Sequence, residues 1–77
     1  MLRGDKMRIS KEELKALREK YPKGTRVRLI NMNDNQAPKI GTLGTVLGVD
    51  DIGSIMVSWD SGSSLSVLYK IDQIKVV

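Results

Sequence analysis

Cysteine and histidine are both absent from this chain of 77 residues, and its only aromatic side chains are one tryptophan and two tyrosines. Without cysteine the chain can form neither a disulfide bond nor a thiolate zinc site. Without histidine it lacks the side chain best suited to proton transfer near neutral pH and the usual activator of a nucleophilic serine. We therefore expect a domain that folds by packing alone in a reducing cytoplasm, with no cofactor, no metal and no enzymatic activity.

Long apolar runs are missing as well. No stretch approaches the roughly 18 apolar residues of a membrane-spanning helix, and the first ten residues, MLRGDKMRIS, lack the apolar core of a signal peptide. We expect neither a signal peptide nor a membrane partner, and hence a cytoplasmic location. The length favours one domain, in which residues 1–8 are flexible and residues 9–77 fold together.

The net charge of +4 is unevenly distributed along the chain. Residues 1–28 contain ten basic and four acidic side chains, a net of +6, whereas residues 29–77 have a net of −2. The basic character therefore belongs to the N-terminal segment and the first strand. This asymmetry bears more on the choice of partner than the overall charge does.

One helix is predicted near the N-terminus, over residues 11–21. Ser10 followed three residues later by Glu13 forms a capping box, in which each side chain binds the backbone amide of the other residue. Pro22 ends the helix, because the residue before a proline avoids the α region. A helix this short is marginal alone and must dock an apolar stripe on the rest of the domain. That stripe consists of Leu14, Leu17 and Tyr21.

Alternation of apolar and polar residues predicts five short strands after the helix. The polar segment 31–39 would form a long loop after the first strand. In the second strand, Gly44 and Gly48 indicate a bulge, a bend or a close backbone approach. Gly62 is expected at positive φ in a later hairpin. The predicted strands are residues 25–32, 43–49, 54–60, 63–69 and 74–77.

These elements predict a mainly β fold: a small five-stranded SH3-like barrel over residues 24–77, preceded by one N-terminal α-helix. The interior of a closed barrel this small is filled by side chains, which leaves no room for an internal site. The alternative topology is an OB barrel. That barrel usually has a helix between its third and fourth strands, where this sequence has only a short turn.

Motifs of glycine and turn residues run along the chain: Tyr21-Pro22-x-Gly24-Thr25, Gly41-Thr42-x-Gly44-Thr45-Val46, Gly48-Val49-Asp50-Asp51-Ile52-Gly53-Ser54 and Trp59-Asp60-x-Gly62-Ser63. On these motifs, residues 10–77 resemble the small family catalogued as domain of unknown function 4314. The resemblance implies a short protein of bacteria or phages, often encoded in mobile elements, without an agreed activity or known site residues. One departure is Lys70-Ile71-Asp72, which stands where the family pattern has a Gly-Val-Asp-like turn.

Seven basic side chains form a candidate nucleic-acid surface. Three recur on one face of the predicted helix and two project from the outer face of the first strand, so together they could follow a phosphate backbone. Base stacking needs aromatic rings, however, and the chain has three. The alternative interpretation is a solvated face that keeps a small protein in solution. The seven residues are Lys11, Lys15, Arg18, Lys20, Lys23, Arg26 and Arg28.

A second candidate surface would bind an unknown protein partner, and we favour it over nucleic acid. The loop 31–39 takes the place of one wall of an SH3 peptide groove, with methionines as an apolar floor and aspartates as rims for a basic partner. Trp59 shares its parity with Ile55 and Val57, so core burial is the alternative for it, whereas Met56 faces away from them. Such a module would be a monomer or a weak homodimer. The candidate residues are Met32, Asp34, Met56, Trp59 and Asp60.

Oxygen ligands for a metal ion occur in two places, at Asp50-Asp51 and at Asn33-Asp34-Asn35. Their spacing does not match a calcium-binding loop. The simpler interpretation is that Asp50 and Asp51 are turn residues that accept hydrogen bonds from backbone amides. The sequence thus favours a non-enzymatic binding or adaptor module, with a nucleic-acid-binding accessory protein as the alternative.

Overall fold

A computed structural model describes residues 9–77 of the chain. The segment 1–8, expected to be flexible, lies outside the described residues. One helix is followed by five strands in chain order. They are α1 (Lys11–Lys20), β1 (Arg26–Asn31), β2 (Leu43–Val49), β3 (Ser54–Trp59), β4 (Val67–Leu68) and β5 (Gln73–Val76).

The N-terminus of α1 has the predicted capping box. The Ser10 hydroxyl accepts a hydrogen bond from the Glu13 backbone N–H at 3.0 Å, and the Glu13 carboxylate accepts one from the Ser10 N–H at 3.2 Å. The helix ends at Lys20, one residue earlier than predicted, and Tyr21 is its C-cap. Leu17 and Tyr21 are buried and Leu14 packs against them, so the predicted stripe does dock the helix on the sheet.

The five strands form one antiparallel sheet in the order β4-β3-β2-β1-β5. This confirms the predicted mainly β fold with five strands and one N-terminal helix. The connection from β3 to β4 contains no helix, which argues against the OB alternative.

The predicted closure of the sheet into a barrel is wrong for the described residues, where β4 and β5 are the two edges of the sheet and do not pair. The cause is the short fourth strand: only Val67 and Leu68 pair with β3, instead of the predicted 63–69. Upstream, the Leu65 carbonyl accepts the indole N–H of Trp59 at 2.9 Å instead of a strand-pairing amide. A two-residue strand offers too few backbone groups to extend the sheet towards β5.

The core lies between α1 and the inner face of the sheet, and alternate positions of β1, β2 and β3 supply most of it. Val27 and Leu29 are fully buried, as their shared parity predicts. The buried apolar residues are Leu17, Tyr21, Val27, Leu29, Val46, Val49, Ile55, Val57, Trp59 and Val67.

The glycines of β2 have two different roles. At Gly44, an added Cβ would lie 2.6 Å from Val57 Cγ1 and 2.7 Å from the Trp59 ring, so this glycine permits a close approach of β2 to the side chains of β3. Near Gly48 the β2–β3 register shifts by one residue, which is the predicted bulge. In the connection after β3, Gly62 has φ +98°, as predicted for its turn.

Candidate functional site

Arg26 and Asp60 were assigned to different candidate surfaces, and the structure joins them in one ion pair. The guanidinium donates to both carboxylate oxygens, at 2.9 and 2.7 Å, and to the Thr45 hydroxyl at 2.9 Å. Hydrogen bonding from Arg26 lowers the pKa of Asp60, and the same bond raises the pKa of Arg26. Arg26 and Asp60 therefore offset each other's charge, and their roles as a phosphate contact and an acidic rim stay predictions.

This ion pair follows from strand register. Arg26 lies opposite Thr45, and Thr45 lies opposite Ser58 in β3. Side chains at directly opposed positions lie on the same face of a sheet, and Asp60 is two residues beyond Ser58. The parity of these residues was visible in the sequence, but the β1–β2–β3 register that aligns them was not.

Arg18 is also engaged within the protein. Its Nε and Nη2 donate to the Val49 carbonyl at 3.2 and 3.1 Å, and Nη2 donates to Asp51 Oδ1 at 2.8 Å. Arg18 thus fastens α1 to the turn after β2, and its role as a nucleic-acid contact stays a prediction. No local spacing predicts these hydrogen bonds, because the partners lie more than thirty residues apart in the chain.

The other five predicted basic residues are exposed, but they do not form one stripe. Lys11 and Lys15 lie with Arg18 along one side of α1. On the sheet, Arg28 lies directly opposite Lys75 of β5, so a pair of like charges projects from the outer face. Arg18 is exposed as well, so the exposed cations of the predicted set are Lys11, Lys15, Arg18, Lys20, Lys23 and Arg28.

A groove of about 760 Å³ lies between the loop that follows β1 and the segment that follows β3. Met32 and Asp34 of the predicted protein-binding surface line it. The opposite wall is Gly62–Ser66, and Asp72 of the β4–β5 connection also reaches it. The groove thus has the long first loop as one wall, as the sequence predicts.

The two carboxylates of the groove are held by backbone hydrogen bonds. Asp34 Oδ1 accepts the Gln36 N–H at 2.8 Å, and Asp72 Oδ2 accepts the Leu68 N–H at 2.9 Å. Among the side chains that line the groove, these two are the only charged ones. The groove can therefore bind a cation through carboxylates whose positions are fixed by the fold. Sequence reasoning missed Asp72, since nothing local predicts that the last turn meets the first loop.

Trp59 does not belong to a binding surface, because it is only 2% exposed. The assignment of Trp59 to the protein-binding surface is wrong, and the core interpretation from its parity is right. Its role is to support the groove wall. Its indole N–H donates to the Leu65 carbonyl, and its backbone N–H donates to the Ser63 carbonyl at 2.9 Å. The wall is thereby fastened to the largest of the fully buried side chains.

Met56 is partly exposed on the outer face of β3, as its parity predicts. It lies opposite Gly48, next to the half-exposed Leu47 of β2, and it does not line the groove. The predicted protein-binding surface is therefore divided between the groove, the outer face and the core. The first loop contributes Met32 and Asp34 to the groove.

A second polar cluster connects α1 to the β4–β5 connection. The Glu13 carboxylate accepts a hydrogen bond from the Tyr69 hydroxyl at 3.0 Å and pairs with Lys70 Nζ at 3.2 Å. Hydrogen bonds from the Ser10 backbone first, then from Lys70 and Tyr69, lower the pKa of Glu13 to about 2. Lys70 has φ +65°, which is the left-handed conformation that favours glycine.

In the acidic turn after β2, the turn interpretation is confirmed for Asp50 but not for Asp51. Asp50 Oδ1 accepts the backbone N–H groups of Ile52 and Ser54 at 3.2 and 2.8 Å, while Asp51 pairs with Arg18. Within residues 9–77, no three side chains of the metal-ligating types gather at one place. No helix in this described part of the chain has the length and apolar character to cross a membrane.

Comparison with known proteins gives one match. Residues 10–77 match the model of the family described as Domain of unknown function (DUF4314). No curated protein and no solved structure matches the chain.

Proposed function

The chain belongs to the DUF4314 family, and we propose that it is a small, non-enzymatic adaptor module that binds a protein partner. The observation that carries this proposal is the groove between the loop after β1 and Gly62–Ser66. Its volume of about 760 Å³ lies within the usual range of roughly 300–1,000 Å³ for ligand sites. Its lining combines apolar side chains, serine hydroxyls and two carboxylates.

The rigidity of the groove supports binding. One wall is held by two hydrogen bonds from Trp59, and both carboxylates accept backbone amides. A site that is already ordered loses less conformational entropy when a ligand binds. We place the module in the bacterial cytoplasm, as a monomer or weak homodimer carried by a mobile element. The support for this placement is the resemblance described above and the cysteine-free composition.

A nucleic-acid-binding accessory protein is the second candidate. The observation that favours it is the set of exposed cations, in particular Lys11 and Lys15 on α1 and the Arg28–Lys75 pair on the sheet. Pairing of Arg18 and Arg26 with aspartates weakens it, because each carboxylate offsets the positive charge that would attract a phosphate. If this candidate is correct, the affinity falls steeply as the salt concentration rises.

The proposal is tested by capture of partners from a native bacterial lysate, with and without nuclease. The test variant is Ser64→Trp, which places a large side chain at an exposed position of the groove wall. The matched control is Ser58→Trp, the same change at an exposed position on the outer face of β3. We expect the wild type and the control to retain the same protein after nuclease treatment, and Ser64→Trp to lose it.

Other results would contradict the proposal. A partner retained equally by Ser64→Trp would place binding outside the groove. Retention that disappears with nuclease, and that requires Lys11 and Lys15, would favour the nucleic-acid alternative.

A further inference from the structure

We propose that the occupant of the groove is an extended peptide segment with lysine or arginine at alternate positions, which pairs as an added strand with the free backbone groups of Ser64 and Ser66. This inference rests on the proposed function, since it names the chemistry of the partner in the same groove. Three observations carry it: the charge of the lining, the backbone groups of one wall that form no hydrogen bond within residues 9–77, and the apolar side chains between the two.

The charge of the groove is opposite to that of the whole protein. The chain has a net charge of +4, yet the groove lining contains two carboxylates and no cation. Elsewhere, Glu13, Asp51 and Asp60 each pair with a lysine or arginine of the same chain. Within residues 9–77, Asp34 and Asp72 have no such partner. A cation from outside is therefore the complementary charge for this site.

Only part of the Gly62–Ser66 backbone is available for pairing, because the Ser63 and Leu65 carbonyls accept hydrogen bonds from Trp59 and the Gly62 and Leu65 amides are also used. The alternating sequence of residues 63–69 predicts a strand, but only Val67–Leu68 pair with β3. Ser64 is exposed, and within residues 9–77 its amide and carbonyl form no hydrogen bond. A strand-forming segment with unpaired backbone groups beside a groove is a template for an added strand.

The apolar side chains of the groove explain why the cations should belong to long side chains. Met32, Leu65 and Ile71 line the groove together with the two aspartates. Lysine and arginine can lay their methylene stems on such apolar surface while their charged ends reach a carboxylate. In an added strand, alternate side chains point to the same side, so the basic residues should recur with a period of two.

The test uses a phage-displayed library of random dodecapeptides selected on the full chain. We expect selected peptides with lysine or arginine at alternate positions. Their synthetic copies should bind the double variant Asp34→Asn, Asp72→Asn about tenfold more weakly, since asparagine keeps an acceptor oxygen for the local backbone bonds but loses the charge. The matched control is Glu12→Gln, Glu19→Gln, which removes two exposed carboxylates of α1 and should leave the affinity unchanged.

Backbone pairing is tested separately with N-methylated copies of a selected peptide. In an added strand, alternate amides face the neighbouring strand. Methylation of one alternate set should therefore reduce the affinity at least tenfold, and methylation of the other set should be tolerated. Equal effects of the two sets would overturn the added strand, and equal affinity for the asparagine variant would overturn the charge complementarity.

The outcome for this inference is distinct from that for the proposed function. If Ser64→Trp abolishes capture of a protein partner, while the library yields neutral or acidic peptides or none above background, the inference fails and the groove-binding function stands. If Ser64→Trp leaves capture unchanged, the proposed function itself fails.

Discussion

The close approach of β2 to β3 at Gly44 makes a sharp prediction for the variant Gly44→Ala. The new methyl group would lie 2.6 Å from Val57 Cγ1, 2.7 Å from Trp59 Cε3 and 3.2 Å from the Ser58 carbonyl oxygen. Carbon atoms prefer separations of roughly 3.5–4.0 Å, so two of these contacts are about 1 Å too short. Val57 and Trp59 are fully buried and cannot turn towards solvent.

Gly44→Ala should lower the free energy of unfolding by about 2–3 kcal/mol, the upper part of the range of roughly 1–3 kcal/mol measured for overpacked cores. For a domain of this size, each kcal/mol lowers the melting temperature by about 4–8 °C. Gly44→Val should destabilise the fold more than Gly44→Ala does, since two further methyl groups must fit into the same contact. The assay is urea unfolding followed by the fluorescence of Trp59, the single tryptophan of the chain.

A double-mutant cycle separates the clash from a general effect on the strand. Val57→Ala removes the Cγ1 atom that the new methyl group would meet, so Gly44→Ala should cost at least about 1 kcal/mol less in that background. An unchanged urea midpoint for Gly44→Ala would refute the close approach. A cost equal in both backgrounds would show that Val57 is not the obstacle.

Two further predictions concern the start of α1. Ser10→Ala should cost about 1 kcal/mol in urea unfolding, because it removes the side-chain bond to the Glu13 N–H; a neutral result would mean that the cap is not formed in solution. The pKa of Glu13 in the folded protein is about 2, below its ordinary value of 4.5. The charged form of Glu13 therefore stabilises the fold fully above about pH 5, and this stabilisation is lost as the pH falls towards 2. The difference in unfolding free energy between wild type and Glu13→Gln should therefore shrink from about pH 6 to about pH 3. A constant difference would contradict the interaction of the Glu13 charge with the Ser10 backbone N–H, Lys70 and Tyr69.

The candidate groove shows how far sequence reasoning could go. The loop after β1 was predicted as a wall because its polar residues interrupt the strand pattern, and Met32 and Asp34 do line the groove. Asp72 was missed because it comes from the opposite end of the folded chain. Trp59 does lie beside the groove, but it is buried in the core and supports the groove wall by a hydrogen bond to Leu65.

For the basic surface, the sequence predicted which residues are charged but not which of them pair within the protein. A count of charges along residues 1–28 predicts a continuous stripe, but Arg18 and Arg26 each meet an aspartate more than thirty residues away. The sequence shows which charged residues the chain has, and the packing of distant elements decides which of them pair within the protein.

The sequence by itself determined the capping box, the parity of the strands, the mainly β class and the position of the long loop. These features depend on residues two to four apart, whose spacing follows from the geometry of one helix or one strand. The tertiary structure decided the open sheet, the close approach at Gly44, the Arg18–Asp51 and Arg26–Asp60 pairs, and the acidic groove. Each of these depends on the register between strands and on the docking of the helix, which bring together residues that no local pattern relates.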